Sequence, residues 1–246
     1  MKKHKWEILA AVALLALAFV LHFMHYRMFH DLHHLFLYGM GDLAFLPLEV
    51  LIVSLILHRL LERRDKRARL SKMNMIIGVF FSQVGTKLLH EIMSLDKNAS
   101  LVKESVSVSA QWGGKDYARA IRAAGDHKFD IEFSSNAFVV IKDLLEKERA
   151  FLVGLLQNPV LLEHKSFTNL LWAVFHFAEE LGYRDDLSKV TENDAKHLIG
   201  DANRVAGLLL KEWLSYVKHL KVSYPYLFSL ALRLDPFEKN VNVTVK

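Results

Sequence analysis

The chain has 246 residues, 52% of them hydrophobic and 24% charged, with 11 Gly, 4 Pro and no Cys. That excludes a disordered or collagen-like chain and a protein embedded in a membrane throughout. The missing thiols exclude disulfides, thiolate catalysis, Cys-ligated zinc and iron–sulfur clusters. The net charge of +5 is local: residues 1–72 hold 11 Lys and Arg against 6 Asp and Glu, whereas residues 73–246 hold 21 against 21. Charge concentrated beside apolar runs flanks membranes and is not a nucleic-acid footprint, so no nucleic-acid partner is expected.

Ile8–Leu21 is an unbroken run of Ile, Leu, Ala, Val and Phe. With Trp6 at one end and Phe19, Phe23 and Tyr26 at the other, residues 6–26 reach the roughly 20 residues needed to span a bilayer. Lys2, Lys3 and Lys5 also suit the n-region of a signal peptide. Ala16 and Ala18 lie inside the apolar run, however, and His22-Phe23-Met24-His25-Tyr26-Arg27 is a poor cleavage site. An uncleaved anchor is therefore expected. A second span is expected over residues 43–61, interrupted by Pro47 and Glu49. Seven cations fall within residues 59–72, namely Arg59, Arg63, Arg64, Lys66, Arg67, Arg69 and Lys72, whereas residues 25–41 carry only Arg27. The positive-inside rule then places both termini in the cytoplasm and residues 25–41 outside. A carboxylate within a span marks function by default. Glu49 is either such a group or, two turns from Asp42 near the outer interface, a hydrated, protonated or paired one.

His22, His25, His30, His33 and His34 fall within thirteen residues, with Asp31 among them. On a helix, His30, His33 and His34 share one face. With His25 they form a candidate ligand set for a transition metal or haem, and Met24 and Met28 offer soft donors. The alternative is a short amphipathic helix lying on the bilayer. Tyr38-Gly39-Met40-Gly41-Asp42 has a superficial likeness to a potassium-channel filter, but Phe36-Leu37 stands where Thr-Val is required. Gly39 and Gly41 are expected instead to turn the chain into the second span, with Asp42 as its N-cap.

Met73, Ile76, Ile77, Phe80, Val84, Leu88, Ile92 and Leu95 repeat at helical spacing, which predicts an amphipathic helix continuing the basic segment. Beyond it, short helices are expected near residues 100–104 and 116–124. Ser135–Gln157 reads as one helix, with Glu148 a polar interruption of its apolar face. Ser166 is expected to cap Phe167–Leu181. Thr191 opens a long helix that Tyr224-Pro225 stops, and Tyr226–Leu234 follows. Trp172, Trp213, Tyr224 and Tyr226 are expected in the core, and the alternating tail is expected to fray.

Di-metal helical bundles use paired Glu-x-x-His motifs, and none occurs on these helices. His176 with Glu179 and Glu180 runs in the reverse order, and His197 and Asp201 stand four apart. These are expected to be solvated face residues. No P-loop, Gly-x-Ser-x-Gly or dinucleotide fingerprint occurs.

Gly41-Asp42-Leu43-Ala44-Phe45-Leu46-Pro47-Leu48-Glu49-Val50 with its basic continuation is one familiar stretch. Leu170–His176, His219-Leu220-Lys221 and Tyr224–Leu230 make another. Together they resemble a group of uncharacterised bacterial two-span membrane proteins, over about half the chain. The resemblance implies a bacterial inner-membrane location and no particular activity.

The expected fold class is all-α. A transmembrane hairpin occupies residues 1–62, a basic juxtamembrane and amphipathic helix 63–95, a cytosolic helical domain 96–237 and a tail 238–246. The expected function is membrane-anchored and non-catalytic: signalling, scaffolding, or docking of a protein partner or second copy. Tyr224, Tyr226, Phe228 and Phe237 form the docking surface if exposed. The alternatives are a metal- or haem-binding membrane protein using the outer histidines, and an enzyme. The enzyme requires a polar pocket of clustered His and Glu inside the bundle.

Overall fold

The computed structural model describes residues 2–238, without the side chains of residues 2–5, 7, 32, 35, 67 and 162. The expected fraying tail and the expected roles of Lys2, Lys3, Lys5 and Arg67 lie outside the described residues. The described residues are helical, with no strand and one isolated bridge between Asp96 and Ile131. The helices are α1 (Lys2–Phe29), α2 (Leu32–Phe80), α3 (Thr86–Ser94), α4 (Ala99–Val106), α5 (Gly114–Asp126) and α6 (Ser135–Lys147). They continue with α7 (Arg149–Leu156), α8 (Pro159–Leu162), α9 (Lys165–Gly182), α10 (Glu192–Ser223) and α11 (Pro225–Arg233). A π-turn, Phe81–Gly85, separates α2 from α3. Two compact units result, residues 1–66 and 67–246, and the boundary falls within α2.

In the first unit, α1 and α2 are joined by His30-Asp31 alone. His30 has φ 48°, a left-handed conformation that His adopts more readily than most residues. Its N–H closes onto the Tyr26 carbonyl at 2.9 Å. Asp31 Oδ1 accepts the His34 N–H at 3.0 Å and so caps α2 at its third residue. The N-cap expected at Asp42 is therefore not a cap: α2 begins at Leu32 and runs through it. Gly39 and Gly41 make no turn: both are helical, and no described glycine has positive φ. Pro47 lies inside α2, where it withholds one backbone donor from the helix ladder.

In the second unit the amphipathic stripe is buried as its spacing predicts: Met73, Ile77, Phe80, Val84, Leu88 and Ile92 are all in the core. α10 packs against α9, α5, α11 and α3. It buries Leu198, Val205, Leu209, Trp213, Val217 and Leu220 among them. Thr191 Oγ1 accepts the Asp194 N–H at 3.3 Å, the cap expected there. Two local expectations fail. Ser135–Gln157 is two helices, because Glu148, at φ −98° and ψ 9°, ends α6 and opens α7. The polar interruption of the apolar face is the break itself. The cap of α9 is His164 rather than Ser166, with its Nδ1 accepting the Phe167 N–H at 3.1 Å.

Candidate functional site

The outer histidines meet differently from the helical-face expectation. His25 on α1 and His34 on α2 stack, with ring centroids 6.0 Å apart, and His34 lies 4.5 Å from the Tyr38 ring. His30 is in the turn, with its ring 6.1 Å from that of Tyr26, and His33 is an exposed residue of the first turn of α2. The ring of His22 hydrogen-bonds the Ala18 carbonyl through Nδ1 at 2.9 Å. His22, His25, His34, Tyr38 and Asp42 line a cleft open to one side.

Glu49 and the cations Arg59, Arg63, Arg64, Lys66, Arg69 and Lys72 are exposed on α2. Arg69 reaches Glu163 at 3.3 Å. That surface ion pair contributes little to stability.

The four aromatic residues expected to dock a partner separate. Phe228 is buried and belongs to the core, and Tyr224 and Phe237 pack against it partly buried. Tyr226 is 70% exposed. The expectation that Tyr226 and Trp172 lie in the core fails, since Trp172 is 56% exposed on α9. Beside α11 lies a mainly apolar cavity of about 230 Å³ walled by Phe81, Trp213, Tyr216, Leu227, Leu230 and Leu234. The π-turn shapes one wall, because Phe81 stacks on Tyr216 with centroids 5.0 Å apart. The other wall is pinned by His90, whose Nδ1 donates to the Pro236 carbonyl at 3.0 Å. Burial pushes the neighbouring Asp235 carboxyl above its ordinary range. The side chains of Tyr226, Leu227 and Leu230 are exposed on the same short helix.

The interior of the bundle is apolar: among the described residues its buried charged groups are Asp96, Asp201 and Glu212. Yet two pairs read from the sequence as solvated face residues are brought together at the bundle's edge. His176 and Glu180 end α9, His197 and Asp201 begin α10, and the four meet. The overlooked signal is an i, i+4 pair on each side of a short link, which places both pairs on facing turns.

Two family models match the chain: the N-terminal helical domain of MJ1433 over residues 2–61, and the C-terminal helical domain of uncharacterized protein MJ1433 over residues 69–233. Uncharacterized protein MJ1433 of Methanocaldococcus jannaschii is 39% identical over 238 residues, which cover 97% of this chain and 96% of that one. No solved structure matches. The relative is archaeal, so the expected bacterial source gains no support from it. The chain belongs to this family, whose members join an N-terminal and a C-terminal helical domain.

Proposed function

We propose that this chain is a membrane-anchored, non-catalytic helical protein. Its α1–α2 hairpin sits in the cytoplasmic membrane with both termini on the cytoplasmic side, and its bundle docks a partner protein there. The observation that supports the anchor is the apolar surface of the first unit. The apolar stretches of α1 and α2 have mean hydropathies of 2.3 and 2.0, and none of either is buried by protein. From Ile8 to Lys66 every described residue is exposed except His25, which is partly covered. Burying one Leu, Ile or Phe side chain releases about 1.5–3 kcal/mol, so two helices of them favour a bilayer strongly over water. Glu49 costs about 3 kcal/mol at the centre of a span and less near its end, and does not reverse that balance. The cations of residues 59–72 suit the anionic cytoplasmic leaflet.

Docking is placed on α11, where Tyr226, Leu227 and Leu230 offer apolar surface beside the cavity. In membranes washed with alkaline carbonate, the full chain is expected to stay in the pellet and to need detergent for release. Release by carbonate alone contradicts the anchor. A photo-crosslinker placed at Tyr226 is expected to capture a protein in native membranes, and Leu230→Asp is expected to abolish the capture. Recovery of nothing that depends on Leu230 contradicts docking at α11.

A further inference from the structure

At the α9–α10 turn, His176, Glu180 and His197 offer donor atoms that all lie within 4.8 Å of one another, and Asp201 faces both imidazoles. His176 Nε2 and His197 Nε2 each lie 3.5 Å from Asp201 Oδ2. Glu180 Oε2 lies 3.6 Å from His197 Nε2, and Glu180 Oε1 lies 4.0 Å from His176 Nε2. These separations are too long for good hydrogen bonds, which have N···O of about 2.7–3.2 Å. They are close to the spacing of neighbouring ligands around one ion. Zinc holds His nitrogen and carboxylate oxygen at about 2.0–2.2 Å, which sets tetrahedral donors about 3.3–3.6 Å apart.

A second observation points the same way. Asp201 is buried at 3% exposure, and its Oδ2 has no hydrogen-bond partner. A buried, unpaired carboxylate oxygen is costly, and this one faces both imidazoles. Asp201 also divides its oxygens. Arg204 Nη1 donates to Asp201 Oδ1 at 3.1 Å and leaves Oδ2 to the cluster. Arg184 Nη1 donates to Glu180 Oε2 at 2.9 Å while its Nε donates to Asp194 at 2.8 Å. Arg204 thus orients the Asp201 carboxylate from behind, as an outer-shell partner of a metal ligand does, and Arg184 holds the Glu180 carboxylate in place. The hydrogen bond from Arg184 holds the Glu180 carboxyl below its ordinary range.

We propose that His176, Glu180 and His197 bind one divalent transition-metal ion, Zn²⁺ by donor type, that Asp201 closes on it as the fourth ligand, and that the ion clamps α9 to α10. Two imidazoles and two carboxylates are borderline-to-hard donors without thiolate, and two negative charges balance the dication. The ion also supplies the missing partner of Asp201 Oδ2. This site is separate from the outer histidines and independent of the docking face on α11.

The test is titration of chelator-treated full-length protein in mild detergent with Zn²⁺, and with Co²⁺ as a spectroscopic probe. One ion per chain is expected, with the Co²⁺ absorption of a four-coordinate nitrogen and oxygen site and a higher melting temperature when Zn²⁺ is bound. His176→Ala and His197→Ala are each expected to weaken binding at least tenfold and to remove the thermal shift. These side chains are 47% and 52% exposed, so metal-free melting of the variants should match the parent. The triple variant His30→Ala, His33→Ala, His34→Ala should bind as the parent does. Absence of stoichiometric Zn²⁺ binding overturns the proposal. So does binding that survives both α9–α10 variants, or that is lost only with the outer histidines. If either single variant fails to fold, the parent's Co²⁺ spectrum decides: absorption of an octahedral, all-oxygen type overturns the site.

Discussion

Asp96→Ala is expected to destabilise the helical domain by about 3–5 kcal/mol, because one buried carboxylate accepts three hydrogen bonds whose donors would lose their acceptor together. The Asp96 side chain is 0% exposed and that of His127 is 7% exposed. Asp96 Oδ2 accepts from His127 Nε2 at 2.7 Å, while Oδ1 accepts the N–H groups of Asn98 at 3.1 Å and Asp130 at 2.9 Å. One carboxylate therefore ties the link after α3 to the segment after α5. Two backbone bonds run alongside it, from Lys97 N–H to the Asp130 carbonyl at 3.1 Å and from Glu132 N–H to the Leu95 carbonyl at 2.9 Å. Without the carboxylate, a buried imidazole and two N–H groups lose their acceptor together. A domain of this size loses about 2–4 °C of melting temperature per kcal/mol. The variant should then melt about 6–20 °C lower by circular dichroism in mild detergent. Asp96→Asn keeps an oxygen for the two N–H groups and should lose about 1–2 kcal/mol. An Ala variant that melts with the parent contradicts this role.

The second large effect is Gly85→Ala, and its sign is informative. Gly85 is helical, with φ −60° and ψ −43°, so backbone preference alone favours Ala by about 1 kcal/mol. The space around it opposes the change. An added Cβ would lie 2.6 Å from Phe81 Cδ1 and 2.7 Å from Phe80 Cε1. Both rings are 0% exposed. Phe80 stands edge-on to Phe167 at 5.3 Å, and Phe81 is stacked on Tyr216. Neither ring can swing away without disturbing a neighbour, and overpacking of this kind costs about 1–3 kcal/mol. Gly85→Ala is therefore expected to destabilise by about that much and to loosen the wall of the α11 cavity. Gly154→Ala is the control: Gly154 lies in α7 with nothing within 4 Å of the added carbon. That change should stabilise by about 0.5–1 kcal/mol. Stabilisation by both substitutions, read from the same melts, contradicts the packing described around the π-turn.

Much of the helical order is legible in the sequence because burial and capping follow local pattern. The stripe from Met73 to Ile92 and the stripe of α10 have the period that one buried face demands. Thr191 and Tyr224-Pro225 mark the ends of α10 by capping chemistry and by the missing Pro N–H. What escapes is non-local or degenerate. The π-turn at Phe81–Gly85 leaves no mark on hydrophobic period, because its residues are as apolar as a helix core. Gly39 and Gly41 read as turn residues, yet a glycine is free to be helical, and the turn falls instead at His30-Asp31. The aromatic cluster near the C-terminus is legible as composition but not as exposure, so Phe228 goes inward while Tyr226 remains outside. The α9–α10 cluster depends on two helices meeting, and its i, i+4 pairs do not match the Glu-x-x-His spacing by which bundle metal sites are recognised. Arg184 and Arg204, which orient its carboxylates, carry no separate sequence signal.

The most direct test of the account is the topology of the hairpin. The chain contains no cysteine, so single substitutions His30→Cys and Arg69→Cys each create one unique thiol. In intact spheroplasts expressing the full chain, a membrane-impermeant maleimide is expected to label position 30 at once and position 69 only after lysis. Labelling of both positions before lysis, or of neither, contradicts a hairpin that crosses the membrane with its helical domain on the cytoplasmic side.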